Sequence, residues 1–387
     1  MRRIPIRGLR PMRLASPRSA PARPFFRTVR GHFNSARDSP FEGSFYDERT
    51  DGAVVGVLQP IAFGAKGPRF SKGAVVRTIQ KDVPPDALAF GVTLFHEHLS
   101  INLTPRNGPL PNQPPPTSDV NLIIDEVKAA QKDGIICIVD GGHPDMGRSL
   151  DNLKLIAERT GMNIVASGGY YMERNYPPEI ASKSDDQIAE GLAEEARMNR
   201  YGAFGEIGEN PNAPMSETEQ KVFRAVGKAH LRTNLPIFTH NAYGTGPNVP
   251  KDAGLHQLDV LESVGVKPQH VAIGHTCCLD DPEAGIIKQI AKRGAWVGFD
   301  RMTTVQQFVP DEKRVKVALK LLEAGYANQL LLSSDFTGSR TVDGPMYGRT
   351  KTVFGPKLIE AGVKEETIRT ILYDNPRRFL AFVPKKA

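Results

Sequence analysis

The stretch Gly91-Val92-Thr93-Leu94-Phe95-His96-Glu97-His98 carries the decision about the fold. It is a short apolar run that closes on a His-x-His pair. In a strand, residues i and i+2 share a face. The two imidazoles therefore point together into one space and can grip one metal ion, while Glu97 between them points away toward the helices. Outward from this stretch the same grammar repeats. Short apolar runs lie near 91–98, 135–141, 163–170, 203–208, 235–240, 271–275, 295–300 and 330–335, with longer amphipathic stretches between them. Eight strand–helix repeats over roughly 300 residues predict a (β/α)8 TIM barrel, for which about 250 residues is typical. The runs are apolar and β-branched, as in a parallel sheet covered on both sides. An open doubly wound sheet is the alternative, but no Gly-rich phosphate loop follows the first strand. The GxGxxG, Walker A and GxSxG patterns are absent.

The flanking text supplies helix signals. Asp311 to Ala324 places Val315, Ala318, Leu319 and Leu322 on one face, with Gly325 as the stop. A second helix is predicted from Asp281 as N-cap and Pro282 in the first turn to Gly294, burying Ile287 and Ile290. Ser216 and Glu219 form a capping-box pattern for a third. Ahead of the barrel, Val75 to Ile79 and Ala87 to Val92 read as a short hairpin across Pro84-Pro85-Asp86.

A barrel presents its active residues at the C-terminal ends of its strands. The first run ends on His96 and His98, the fourth on Glu206, the fifth on His240, the sixth on His275 and the eighth on Asp335. Six ligand-type side chains exceed the needs of one four-coordinate ion. Two ions sharing a carboxylate, about 3.5–4 Å apart, is the economical reading.

With these residues in place, the chain from about Gly73 to Val383 resembles the phosphotriesterase family of the amidohydrolase superfamily. The matching text is Gly91 to His98, Gly205-Glu206-Ile207-Gly208, Thr239-His240, Gly274-His275, Ser334-Asp335 and the closing Asp374 to Leu380. Phosphotriesterases proper bridge their metals with a carboxylated lysine where this chain has Glu206. That departure resembles the phosphotriesterase homology proteins and puts efficient organophosphate hydrolysis in doubt. The seventh run ends Asp300-Arg301, as in phosphotriesterase-like lactonases, and Tyr171 resembles their pocket tyrosine. The bland alternatives are a loop salt bridge for Arg301 and packing for Tyr170 and Tyr171.

The resemblance implies a binuclear metal-dependent hydrolase that opens a lactone or a related carboxylic ester. His96, His98 and Asp335 would hold the buried ion, His240 and His275 the outer one, and Glu206 would bridge. The ions would bring a shared water's pKa toward neutrality. Asp335 would move the proton, and Arg301 and Tyr171 would orient the substrate. Zinc suits this donor set, with manganese, cobalt and iron as alternatives. Family members are commonly dimers, so a homodimer is an expectation of the resemblance. Arg340, Arg349 and Lys351 follow the eighth run, where surface charge is the bland reading and an anionic substrate the sharper one. His143 is read as structural, and His230, His256 and His270 as non-ligands. Cys277 and Cys278 are read as packing residues.

Composition narrows the classes. Of 387 residues, 24% are charged and 40% hydrophobic, which excludes a wholly disordered chain. No run approaches the roughly 18 apolar residues of a membrane span. The net charge is +7, yet residues 1–40 hold ten arginines, no lysine and one acid (Asp38), a balance of +9. The remainder is therefore −2, which weakens any argument that the folded part binds nucleic acid. Three cysteines without a CxxC pair exclude a disulfide framework and a zinc ribbon, and fit a reducing, cytoplasmic setting. Residues 1–40 are read as a disordered Arg-rich extension whose composition also fits organellar targeting. Residues 41–73 are read as an irregular lead-in and 74–387 as the barrel. Two competing readings remain: a barrel that holds metal without catalysis, and an arginine tail that docks on nucleic acid or an anionic membrane.

Overall fold

The computed structural model describes residues 67–103, 117–210, 213–241, 250–302, 309–337 and 347–385. The 1–40 extension, most of the 41–73 lead-in and Arg340 lie outside the described residues.

Eight parallel strands follow one another around a nearly closed barrel: β1 (Val92–Glu97), β2 (Ile135–Asp140), β3 (Asn163–Gly168), β4 (Ala203–Gly208), β5 (Ile237–His240), β6 (Val271–Ile273), β7 (Trp296–Phe299) and β8 (Leu330–Leu332). Each pairs with its successor in chain order, as in Cys137↔Asn163, Phe204↔Ile237 and Leu330↔Val297. Helices α1 (Val120–Lys132), α2 (Leu150–Thr160), α3 (Asp185–Met198), α4 (Glu217–Thr233), α5 (Ala253–Ser263), α6 (Gly285–Lys292) and α7 (Asp311–Glu323) fill the crossovers. Three short helices, α8 (Gly355–Glu360), α9 (Glu365–Arg369) and α10 (Asn375–Leu380), end the fold. This is a (β/α)8 TIM barrel.

Two apolar layers follow from the strand period. One face, with Leu94, Ile138, Ile164, Phe204, Ile273 and Val297, packs against the helices. The other, with Phe95, Val139, Val165, Ala203, Phe238 and Leu331, fills the barrel. The closing motif has a packing role: Asn375 Nδ2 donates to Leu330 O at 2.8 Å, and buried Arg377 donates to Tyr373 O at 3.0 Å.

Local signals differ in how they resolve. The capping box of Ser216 and Glu219 opens α4, and α7 begins at Asp311. The hairpin is a correction: Val76–Arg77 pairs with Asp82–Val83, because Pro85–Leu88 folds into a 3-10 turn. The Asp281 helix is a second. Its helical residues begin only at Gly285, but the Asp281 carboxylate still accepts from the Gly285 and Ile286 N–H groups, each at 2.8 Å. The N-cap position is Ala284 rather than Asp281, and the Asp281 carboxylate reaches four and five residues forward to the first helical N–H groups.

Candidate metal centre

The ligand-type residues sit where the sheet is irregular. Phe95 and His96 are consecutive, yet both rings pack on Phe238. Regular alternation would send them to opposite faces. The β1–β2 ladder shifts register between Leu94 and Glu97, and the β4–β5 ladder between Phe204 and Ile207. These irregularities turn His96 and Glu206 into the mouth. His275 and Asp335 have φ of 56° and 48°, a left-handed backbone costly to a side-chain-bearing residue and concentrated at functional sites.

The structure brings all six predicted ligand residues together, each buried. They form two overlapping sets whose ligand atoms lie within 4.8 Å of one another: His96, His98, Glu206 and Asp335, and Glu206, His240 and His275. Glu206 belongs to both. His98 Nε2 lies 3.2 Å from Glu206 Oε1 and 3.1 Å from Asp335 Oδ1. His240 Nδ1 lies 3.0 Å, and His275 Nε2 3.3 Å, from Glu206 Oε2. His96 Nε2 faces the same carboxylates at 3.5 and 3.8 Å.

The residues fit divalent metal. His96 Nε2 is buried and has no hydrogen-bond partner. Gly141 leaves room beside it; a Cβ there would lie 3.1 Å from His96 Nε2 and 3.3 Å from His98 Cε1. Imidazoles and carboxylates together are the donor set of a borderline transition ion.

Charge is concentrated and balanced by pairing. Burial opposes ionisation of Glu206, but the His96 and His240 rings beside it hold its carboxyl well below the usual range. Burial also opposes the His98 and His275 imidazolium forms, yet the carboxylates around them raise both to about 9. His240, less compensated, falls to about 4. A divalent ion would take the place of the imidazolium protons here, because a histidine ligates only in its neutral form.

Tyr171 and Arg301 flank this cluster. The Tyr171 hydroxyl is 3.3 Å from His240 Nδ1, and Arg301 Nη2 is 3.0 Å from Asp335 Oδ2. Burial works against the Asp335 carboxylate, and the Arg301 charge brings its pKa below the ordinary value.

Two residues acquire roles that their sequence positions did not assign. Asp300, at the end of β7, reaches His96 Nδ1 at 2.8 Å and His275 Nδ1 at 3.0 Å. Its signal was present, an acid after an apolar run, like the other strand ends. Glu97 does not face the helices. Its carboxylate reaches sideways to the chain after β8, because a glutamate at the seam finds unpaired N–H groups there.

The remaining polar candidates lie elsewhere. His143 is fully buried, with Nδ1 3.3 Å from Asp145 Oδ1. His230 Nδ1 donates to Leu235 O at 2.7 Å, and His256 lies 3.4 Å from Asp252. His230 and His270 pack ring on ring. None of the four belongs to a metal-competent group of the described residues. Cys277 and Cys278 are buried in the helix–sheet core. Arg349 and Lys351 are neither solvated charges nor pocket groups: Arg349 Nη2 pairs with buried Asp311 at 3.0 Å, and half-buried Lys351 donates to Asp133 O.

The model of the phosphotriesterase family matches residues 76–380. A phosphotriesterase homology protein of Escherichia coli is 30% identical over 298 residues, spanning 75% of this chain and 97% of that protein. Its crystal structure, with phosphate in the active site, superposes with a TM-score of 0.67, covering 76% of this chain and 99% of that one. An aryldialkylphosphatase of Saccharolobus solfataricus is 29% identical over 314 residues, 75% of this chain and 95% of that protein. An N-acetyltaurine hydrolase of Xenopus tropicalis is 26% identical over 352 residues, 79% and 98%. No described helix is long and apolar enough to cross a membrane.

Proposed function

The chain belongs to the phosphotriesterase family and is a metal-dependent hydrolase, and from that premise we propose that it opens a lactone or cleaves a related carboxylic ester. The observation that carries this reading is the closeness of Arg301 and Tyr171 to the ligand residues, 3.0 Å from Asp335 and 3.3 Å from His240 respectively.

His96, His98 and Asp335 would hold one ion and His240 and His275 the other, with Glu206 within reach of both sets. Zinc is the first choice, with manganese, cobalt and iron as alternatives. When bound, the ions supply a Lewis acid for the scissile carbonyl and lower the pKa of a water toward neutrality. Asp335, kept ionised by Arg301, takes the proton of the attacking water through Oδ1 or Oδ2. It then returns that proton to the alkoxide released as the ring opens. Tyr171 donates its hydroxyl to the substrate's ring or carbonyl oxygen, and Arg301 faces the developing negative charge. Asp300 holds the His96 and His275 rings at Nδ1, so each Nε2 keeps its lone pair for a ligand role.

A panel tests the reading. Purified zinc- or manganese-loaded protein is offered a γ-lactone, a δ-lactone, an aryl acetate, an aryl dialkyl phosphate and an N-acyl amine. The proposal expects the largest kcat/KM on a lactone or aryl ester. A kcat/KM at least tenfold higher on the phosphate or the amide would replace it with the chemistry in its relatives' names.

A further inference from the structure

We propose that Glu97 is a positioning residue that holds Asp335 in its working conformation across the seam of the barrel. The inference rests on the reading above, in which Asp335 moves the proton. No β-ladder joins β8 to β1 among the described residues. The seam is closed instead by the chain just after β8. The N–H of Ser334 donates to Glu97 Oε1 at 2.7 Å, and the N–H of Phe336 donates to Oε2 at 2.8 Å. Asp335 lies between these two donors. Ser333 Oγ adds a third bond to Oε1 at 2.8 Å and itself accepts from the His96 N–H at 3.1 Å.

Asp335 has φ of 48°, a conformation that a β-substituted residue keeps only when its surroundings impose it. Here the imposing group is a fully buried carboxylate that takes the N–H on each side of the strained residue, one on each oxygen. Two backbone N–H groups converging on one side chain form a concavity that requires acceptor oxygens, and both Glu97 oxygens are used as acceptors. Two main-chain bonds finish the clamp: Asp335 N–H to His96 O at 3.2 Å and His98 N–H to Phe336 O at 2.9 Å. The same residue pair therefore sets both sides of the site. Glu97 lies between His96 and His98 in the chain, and through its carboxylate it aims Asp335 at them. No lysine or arginine among the described residues pairs with Glu97, so its carboxylate is committed to this task.

An amide cannot replace it. Glutamine would turn an NH2 toward one of three donors. The test compares Glu97→Gln, Asp335→Asn and the double variant in the full chain, each loaded with zinc and normalised to bound metal. The expected result is a fall in kcat of about tenfold or more in Glu97→Gln with KM within about twofold. In the Asp335→Asn background the same substitution should cost less than about twofold, because the group it aims is already disabled. Deuterium exchange of the metal-free protein gives a second readout. The peptide spanning 333–336 should exchange at least about tenfold faster in Glu97→Gln, while β3 to β5 stay as protected as in the parent. Equal losses from Glu97→Gln in both backgrounds, or parental kcat with faster exchange, would reduce Glu97 to a general barrel staple and overturn the proposal. Parental turnover in Asp335→Asn alone would instead overturn the proton-transfer reading, and this inference with it. If Glu97→Gln does not fold, Ser333→Ala removes one of the three bonds. A smaller loss with the same non-additivity is expected there, and unchanged kcat contradicts the proposal.

Discussion

Asp300 Oδ2 lies 2.8 Å from His96 Nδ1. Its other oxygen lies 3.0 Å from His275 Nδ1 and accepts the His275 backbone N–H at 2.6 Å. One buried carboxylate thus fixes the tautomer and ring plane of one imidazole from each overlapping set. Gly274 makes the approach possible, since a Cβ there would stand 2.8 Å from Asp300 Oδ2.

Asp300→Asn keeps the size but replaces one acceptor with a donor. One of the two rings then loses its anchor. We predict a fall in metal affinity of about 10- to 100-fold, read by competition with a chromophoric chelator. Parental affinity in this variant would mean that packing alone orients the rings.

Glu206 is the residue common to both sets. Its replacement by alanine removes an oxygen from each, so the prediction is that Glu206→Ala binds about one ion per chain where the parent binds about two. Elemental analysis after gel filtration measures this directly. Two ions retained in the variant would refute the bridge.

Arg301 offers a charge-assisted contact at 3.0 Å to Asp335. Arg301→Gln loses that charge and keeps a donor. Bonds to charged groups contribute about 1.5–3 kcal/mol, so kcat/KM on the best lactone should fall roughly 10- to 100-fold, at unchanged metal content. Parental kcat/KM would remove Arg301 from the substrate-facing groups.

His230 gives a pH signature away from the centre. Burial lowers its pKa to about 4, against about 6.5 in the unfolded chain. The fold holds it neutral, so its contribution is fully present above pH 6.5 and is lost as pH falls toward 4. The loss reaches about 2 kcal/mol by pH 5. His230→Asn retains a donor for Leu235 O without the titration. Between pH 7 and pH 5 the parent should lose about 4 °C more of Tm than this variant, compared at equal metal content. Parallel melting profiles would show that His230 titrates normally.

The readable parts of the site were those set by position at the strand ends. A ligand-type residue after an apolar run is a local pattern, and His96, His98, Glu206, His240, His275 and Asp335 each carry it. What escaped was lateral reach. Glu97 stands beside two ligands, and strand alternation alone turns it outward; only the seam between the first and last strands shows what it binds. Arg349 and Lys351 likewise look like surface charges until Asp311 and the Asp133 carbonyl come within reach. Asp300 was visible as a residue but not as a link, because the partner it needs lies about 200 positions away. The hairpin error has a similar origin: Pro84 and Pro85 mark a turn, and which strands the turn joins is decided by pairing in three dimensions.

The proposed centre is a Glu206-shared pair of metal ions that serves a hydrolase. Its most direct test is a titration of the metal-free chain with zinc, following bound metal and turnover of a lactone or aryl ester in the same samples. About two ions at saturation are expected, with turnover rising as the second ion binds. Saturation at one ion with full turnover, or no bound metal at all, would contradict it.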